Sequence, residues 1–159
     1  MCEATDGGYW AFGYGNNGSY NIALVTKWAM DGTHEWTRTY GSSSDYGYYW
    51  NGIGTDDGGV IAVGYTRSYG PYAGTNYSWI ASKISSSGSV VWTTVWGGGS
   101  ANNYAYSIDE SADGNFIALG RTYGFGPGTG VANYTLTKIT PTGSILFNKV
   151  YGGIDYDYG

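Results

Sequence analysis

Asp56 and Asp57 stand side by side in TDDGGVIAVGY, Thr55–Tyr65, and Gly58 and Gly59 follow at once. Paired acids before glycines can serve three ends: a calcium loop, the sugar-contacting Asp box of a sialidase, or a hairpin turn. The calcium reading wants a ladder of alternating acids closed by a later Glu. Here each such stretch offers at most two acids. The Asp-box reading needs a Thr-Trp ending and clustered arginines, whereas Arg38, Arg67 and Arg121 are scattered. The turn reading needs only an Asp side chain accepting local backbone N–H groups and a Gly at positive φ. It is the reading we adopt. DYDYG at 155–159 has Asp-x-Asp spacing but no following Glu, so it is not read as a metal site.

Other reactive residue types are isolated. His34 is the only histidine and Cys2 the only cysteine. A hydrolase triad needs His beside a nucleophile, and a zinc site needs several His or Cys, so no catalytic residue, metal or cofactor is assigned. His34 is expected in an exposed turn, and Cys2 as a small buried hydrophobe that cannot form an intrachain disulfide. GFGPGTG, 124–130, opens no helix and lacks Lys-Ser/Thr, so it is not a phosphate loop. Glu3, Glu35 and Glu110 fall on separate turns and strand ends, which leaves no carboxylate pair for glycoside hydrolysis.

The acidic turn is not unique. TDGGYWAFGY begins at Thr5 and ADGNFIALGR at Ala112, each an Asp-Gly-Gly/Asn followed by an apolar run that reaches Gly. Lys27, Lys83 and Lys138 each precede a Gly by five positions, with Trp36, Trp92 and Phe147 four further on and Tyr40, Trp96 and Tyr151 four beyond those. The lysines lie 56 and then 55 positions apart. Three tandem repeats of this period are the most specific signal in the chain. One lysine per repeat reads as a structural strand position.

Each repeat holds four strand-like runs, A to D. In the second these are about 48–54, 60–66, 78–85 and 89–96. VIAVG in run B is continuously apolar, as expected of a strand buried on both faces. Period two sets Trp92, Thr94 and Trp96 on one face of run D, with Trp92 expected to be buried between repeats. Composition agrees: 29 Gly, 18 Tyr and 7 Trp, with few helix formers. Four antiparallel strands per repeat predict an all-β fold of β-propeller blades, with blade 1 about 1–41, blade 2 about 42–97, blade 3 about 98–152, and 153–159 starting a further strand A.

DGG, an apolar run to Gly, WxxK, then GxxxWxxxYGG resembles the propeller repeats of secreted and cell-surface proteins of bacteria and archaea, of the SBBP kind. The resemblance covers nearly the whole chain; Leu136 and Asn115 depart from it. It implies an extracellular or cell-surface address, a non-enzymatic structural or binding role, and no catalytic residues. The leading stretch MCEATDGGYW has no signal-peptide pattern, so either a leader has been removed or the chain is part of something longer.

Charge excludes some partners. The net charge is −5, and the 7 Lys and Arg residues form no patch for nucleic acid. No apolar run approaches the roughly 18–20 residues of a membrane-spanning helix.

The B–C loops remain. The second and third, GYTRSYGPYAGTNYS and GRTYGFGPGTGVANY, are rich in Tyr, Gly and Pro, and Arg67 and Arg121 fall at the same place in them. Because B–C and D–A loops share a face, Tyr65, Arg67, Tyr69, Tyr72, Tyr77, Arg121, Tyr123, Phe125 and Tyr134 should crowd one rim, with Tyr46, Tyr48 and Tyr104 from the D–A side. Such a rim suits sugar binding by a lectin, or simply packs the loops. The sequons at Asn17, Asn76 and Asn133 lie in the same loops and hint at a glycosylated exterior.

Closed propellers have about 4–8 blades, and three leave open sheet edges. The expected completion is a homo-oligomer. A six-bladed dimer is favoured, in which the tail around 154–158 of one chain meets 2–8 of the other; the alternative is membership of a longer array.

Overall fold

The computed structural model describes residues 1–42, 46–70, 73–97, 101–127, 130–155 and 157. Among them there are twelve strands and no helix. The first antiparallel sheet orders β1 (Cys2–Glu3), β2 (Tyr9–Asn16), β3 (Asn21–Trp28) and β4 (His34–Tyr40). The second holds β5 (Gly47–Gly54), β6 (Val60–Thr66), β7 (Ser78–Ile84) and β8 (Val90–Trp96). The third holds β9 (Asn103–Glu110), β10 (Phe116–Thr122), β11 (Asn133–Ile139) and β12 (Ile145–Tyr151). The fold is therefore all-β and β-propeller-like, three meander sheets in the order the repeats foretell.

The hairpin turns explain the regular spacing. Gly58 N–H donates to Thr55 O and Thr55 N–H to Gly59 O, and the same pair of bonds closes 4–8, 29–33, 85–89, 111–115 and 140–144. In every case the fourth turn residue is a Gly at φ between 74° and 86° (Gly7, Gly32, Gly58, Gly88, Gly114, Gly143). That is a type I turn followed by a left-handed residue, which only Gly adopts without cost.

Packing between sheets makes the core. Alternate residues of β6 face opposite neighbours. Val60 and Ala62 join Trp10, Val25 and Tyr49 in one cluster, while Ile61 and Val63 join Trp79, Ala105 and Phe116 in another. Every residue of β6 and β7 is consequently buried. β10 alternates between buried and more exposed positions, because the third sheet is covered on one side only. The expectation of a two-sided B strand thus holds for the middle sheet and not for the third.

Strand β8 ties the second sheet to the third. Trp92 Nε1 donates to Pro141 O at 3.0 Å, Thr94 Oγ1 to Gly143 O at 2.6 Å, and Trp96 Nε1 to Thr137 Oγ1 at 3.2 Å. Trp92 does lie between sheets, but half-buried rather than buried, since it sits on an outer strand with water along one edge. Cys2 is also half-buried, packed against the first cluster, and burial pushes its thiol pKa up.

Candidate binding surface

The acidic turns are built as ion-paired corners. Asp57 Oδ1 accepts from Gly59 N–H at 3.1 Å and from Thr55 Oγ1 at 2.7 Å, which shapes the turn. It also accepts the Lys83 ammonium at 2.5 Å. Lys27 meets Asp6 and Lys138 meets Asp113, each at 2.5 Å. Lys27 also reaches Glu35 at 3.1 Å. The lysine stems lie against apolar strands while the carboxylates face water. The Lys83 hydrogen bond holds the Asp57 carboxyl down at about 2, with help from Thr55. The Lys27 and Lys138 bonds likewise lower Asp6 and Asp113. Burial opposes the charge on Lys27, yet Asp6 and Glu35 outweigh it and raise its pKa. These acids are committed to their lysines. Among the described residues no group of three or more His, Cys, Asp or Glu side chains could hold a metal ion.

The rim residues divide. Tyr65, Tyr77, Arg121 and Tyr123 come together, joined by Tyr48 and Tyr104. The ring centroids of Tyr65 lie 5.0 Å from Tyr48, 4.6 Å from Tyr77 and 5.1 Å from Tyr104, and Tyr123 stands 6.5 Å from Tyr104. Tyr65 is only 9% exposed, so it is the hub of this array rather than a free rim residue. Burial and the neighbouring phenols push its pKa up, and burial takes Tyr104 to about 12. Arg67 is elsewhere, over the ring of Tyr46 at 5.0 Å. Tyr69 is exposed and lines a cavity of about 580 Å³ between the first two sheets. Phe125 is exposed, with its carbonyl accepting from Asn133 Nδ2 at 3.0 Å. Tyr134 is half-buried on β11, opposite Arg121. Tyr72 lies outside the described residues.

Strand register corrects one alignment. Tyr48 pairs with Tyr65 and Tyr104 pairs with Arg121. Arg121 therefore occupies the place of Tyr65, and Arg67 that of Tyr123. Residue type aligns the two arginines, whereas backbone pairing on β6 and β10 sets the true correspondence. Asn133 is another correction. It is fully buried and donates to Phe125 O and Val131 O, so its sequon is a loop-anchoring side chain and not an accessible acceptor.

Two residues outside the expected rim belong to the array. Trp50 is the extra residue of a β-bulge, because Tyr49 pairs with Gly64 and Asn51 with Val63. Tyr106 is the same in the third sheet, where Ala105 pairs with Gly120 and Ser107 with Leu119. A bulge re-aims its residue and bends the strand. Trp50 and Tyr106 end side by side, 6.3 Å between centroids, 48% and 37% exposed. The glycine that ends each B run is the legible trace of this device. A Cβ at Gly64 would strike Tyr48 O, and one at Gly120 would lie 2.6 Å from Tyr104 O.

No family model matches this chain, and no curated protein matches it. Among the described residues no helix is long and apolar enough to cross a membrane. What the surface can do is carried by its own geometry: fixed aromatic faces, one arginine stacked among them, and two different open sheet faces.

The open faces have a regular origin. Trp36 Nε1 donates to Ser86 O at 3.1 Å and Tyr40 OH to Gly88 O at 2.9 Å, just as Trp92 and Thr94 donate to Pro141 and Gly143. Each D strand thus gives to the C–D turn of the next sheet. β12 repeats the aromatic part of the giving face without the indole donor: Lys149 lies over Phe147 at 5.4 Å, as Arg38 lies over Trp36 at 5.6 Å. Tyr151, in the place of Tyr40, is 52% exposed. The first sheet carries the receiving turn. A Cβ at Gly32 would meet nothing within 4 Å, whereas at Gly88 it would lie 2.8 Å from Arg38 and at Gly143 2.8 Å from Trp92.

Proposed function

We propose that this chain is a non-enzymatic structural module of a cell surface or secreted assembly, and that copies of it join head to tail to complete a propeller ring. The carrying observation is the interface used twice within the chain, whose giving half is exposed on β12 and whose receiving half is exposed at 29–33. Tyr151 would donate to Gly32 O of a second copy as Tyr40 donates to Gly88 O. The interface is heterologous, so it closes into a ring when the rotation per sheet divides the circle and runs on as a filament otherwise. A six-bladed dimer is the smallest ring in the usual size range that whole copies can make. The tail needs no exchange in this arrangement, since Asp157 N–H donates to Ala132 O of its own chain at 3.1 Å. The surface address rests on the resemblance of the repeats to secreted and cell-surface propellers.

Light scattering tests the proposal. Twice the 17.0 kDa chain mass is expected, falling to a single chain mass in Tyr151→Arg. A well-folded parent monomer would refute it.

A second reading, glycan binding, is favoured by the exposed aromatic faces of Trp50 and Tyr106, which suit stacking against sugar rings. A glycan array tests it.

A further inference from the structure

We propose that Trp50, Tyr106 and Arg121 form a binding site for a carboxylate-bearing sugar. The proposal rests on the glycan reading and gives it a place and a charge class.

The aromatic part of the site is built, not incidental. Trp50 and Tyr106 arise from two bulges at the same position of successive repeats, each opposite a glycine whose missing side chain makes room. Residues just before them, Tyr49 and Ala105, are each 1% exposed on the opposite face. The bulges therefore present two large rings to water while leaving the core intact. Tyr48 stacks on Trp50 at 5.4 Å and Tyr104 on Tyr106 at 6.2 Å, which holds both from behind.

The charged part is Arg121. Its guanidinium lies over Tyr104 and Tyr106 at 5.5 Å each and over Tyr123 at 5.0 Å. Its Nε is buried without a hydrogen-bond acceptor. Lys27, Lys83 and Lys138 are each neutralised by an aspartate, yet no carboxylate among the described residues pairs with Arg121. Ring faces orient the cation but do not neutralise it. A guanidinium is a rigid fork that suits a planar carboxylate. The preceding sheet has Tyr65 at this position, so the charge belongs to one place in the array.

These groups select a ligand with an apolar ring face for Trp50 and Tyr106 and a carboxylate within reach of Arg121. Uronic and sialic acids have both features. A neutral sugar would use the rings alone, and a simple anion Arg121 alone.

The test titrates the parent protein with oligogalacturonate and with sialyllactose, each beside its neutral methyl ester, by calorimetry and tryptophan fluorescence. At least one acid should bind, with its ester at least ten-fold weaker. Trp50→Ala, at an exposed position, should lose ten-fold or more. Arg121→Gln should erase the difference between acid and ester, with the melting temperature recorded to confirm folding. Equal binding of acid and ester would overturn the role of Arg121. Unchanged binding by Trp50→Ala would move the site elsewhere and overturn the proposal while leaving the glycan reading intact. If no saccharide on a broad array binds, both fail together. Binding of an acidic aromatic dipeptide in place of any sugar would overturn the ligand class.

Discussion

The Lys83 ammonium lies 2.5 Å from the Asp57 carboxylate, with the lysine side chain 8% exposed and the aspartate side chain 65% exposed. The pair is asymmetric. Water still solvates Asp57, while Lys83 depends on its partner. Asp57→Ala should therefore cost about 1–2 kcal/mol, through the turn bonds and the stranded ammonium. Lys83→Met should cost less, because an apolar stem fills the same space and the freed carboxylate faces solvent. Urea unfolding of both variants measures this, and a larger loss in Lys83→Met would reverse the assignment.

Acid should weaken the fold in a defined window. Asp57 titrates at about 2 when folded, against an ordinary value of 3.8, and Asp6 and Asp113 are lowered as well. Carboxylates with depressed folded pKa contribute stability that is fully present above the unfolded value. It is lost as pH falls from about 4 toward 2. Urea midpoints should therefore drop across that range and stay flat between about pH 5 and 7. Replacing all three aspartates by asparagine should flatten the acid limb, and an unaltered limb would show that other groups cause it.

Trp92 bridges the second and third sheets through Pro141 O. Trp92→Phe should cost about 1 kcal/mol for the hydrogen bond, and Trp92→Ala about 2 kcal/mol, less than a fully buried ring. Loss under about 0.5 kcal/mol in Trp92→Ala would mean the contact contributes no stability.

Gly64→Ala and Gly120→Ala should each destabilise by at least about 2 kcal/mol, since the new Cβ meets strand backbone that the bulge has brought close. Gly13 ends the B run of the first sheet, but a Cβ there would meet nothing within 4 Å, because β1 pairs only as far as Trp10. Gly13→Ala should leave the fold of one chain unharmed. Equal destabilisation at all three positions would show that the glycines serve strand propensity and not the bulge.

The repeats and their strands were legible because each rests on local chemistry. Val60–Thr66 was bounded from its apolar run and the Asp-Gly-Gly before it, and it forms β6 with those limits. The C and D runs came within one residue at their loop ends. The site was much less legible. In sequence Lys83 and Asp57 read as two separate features, and only folding reveals that a strand C lysine reaches an A–B turn. Trp50 and Tyr106 are not legible because one extra residue inverts the period-two phase within a strand too short for the shift to stand out. The sign was present in Gly64 and Gly120, yet a glycine ending an apolar run reads equally well as the start of a loop. Residue type aligns Arg121 with Arg67, but Arg121 lies on β10, and the offset that carries Asp57 to Asp113 carries Tyr65 to Arg121.

The recurrence of Trp36 on Ser86 and Trp92 on Pro141 also bears on how such a chain can change over generations. The first two repeats each bring an indole donor for the next C–D turn, while the third has Phe147 in that place and keeps the aromatic face without the N–H. Duplicating or deleting one whole repeat leaves each remaining boundary chemically matched, so gene-level slippage in this unit yields another foldable protein. Slippage that cut a repeat within its strands would set a strand against a turn. Copy number is thus a dimension in which this architecture can vary, because each repeat contacts only its neighbours.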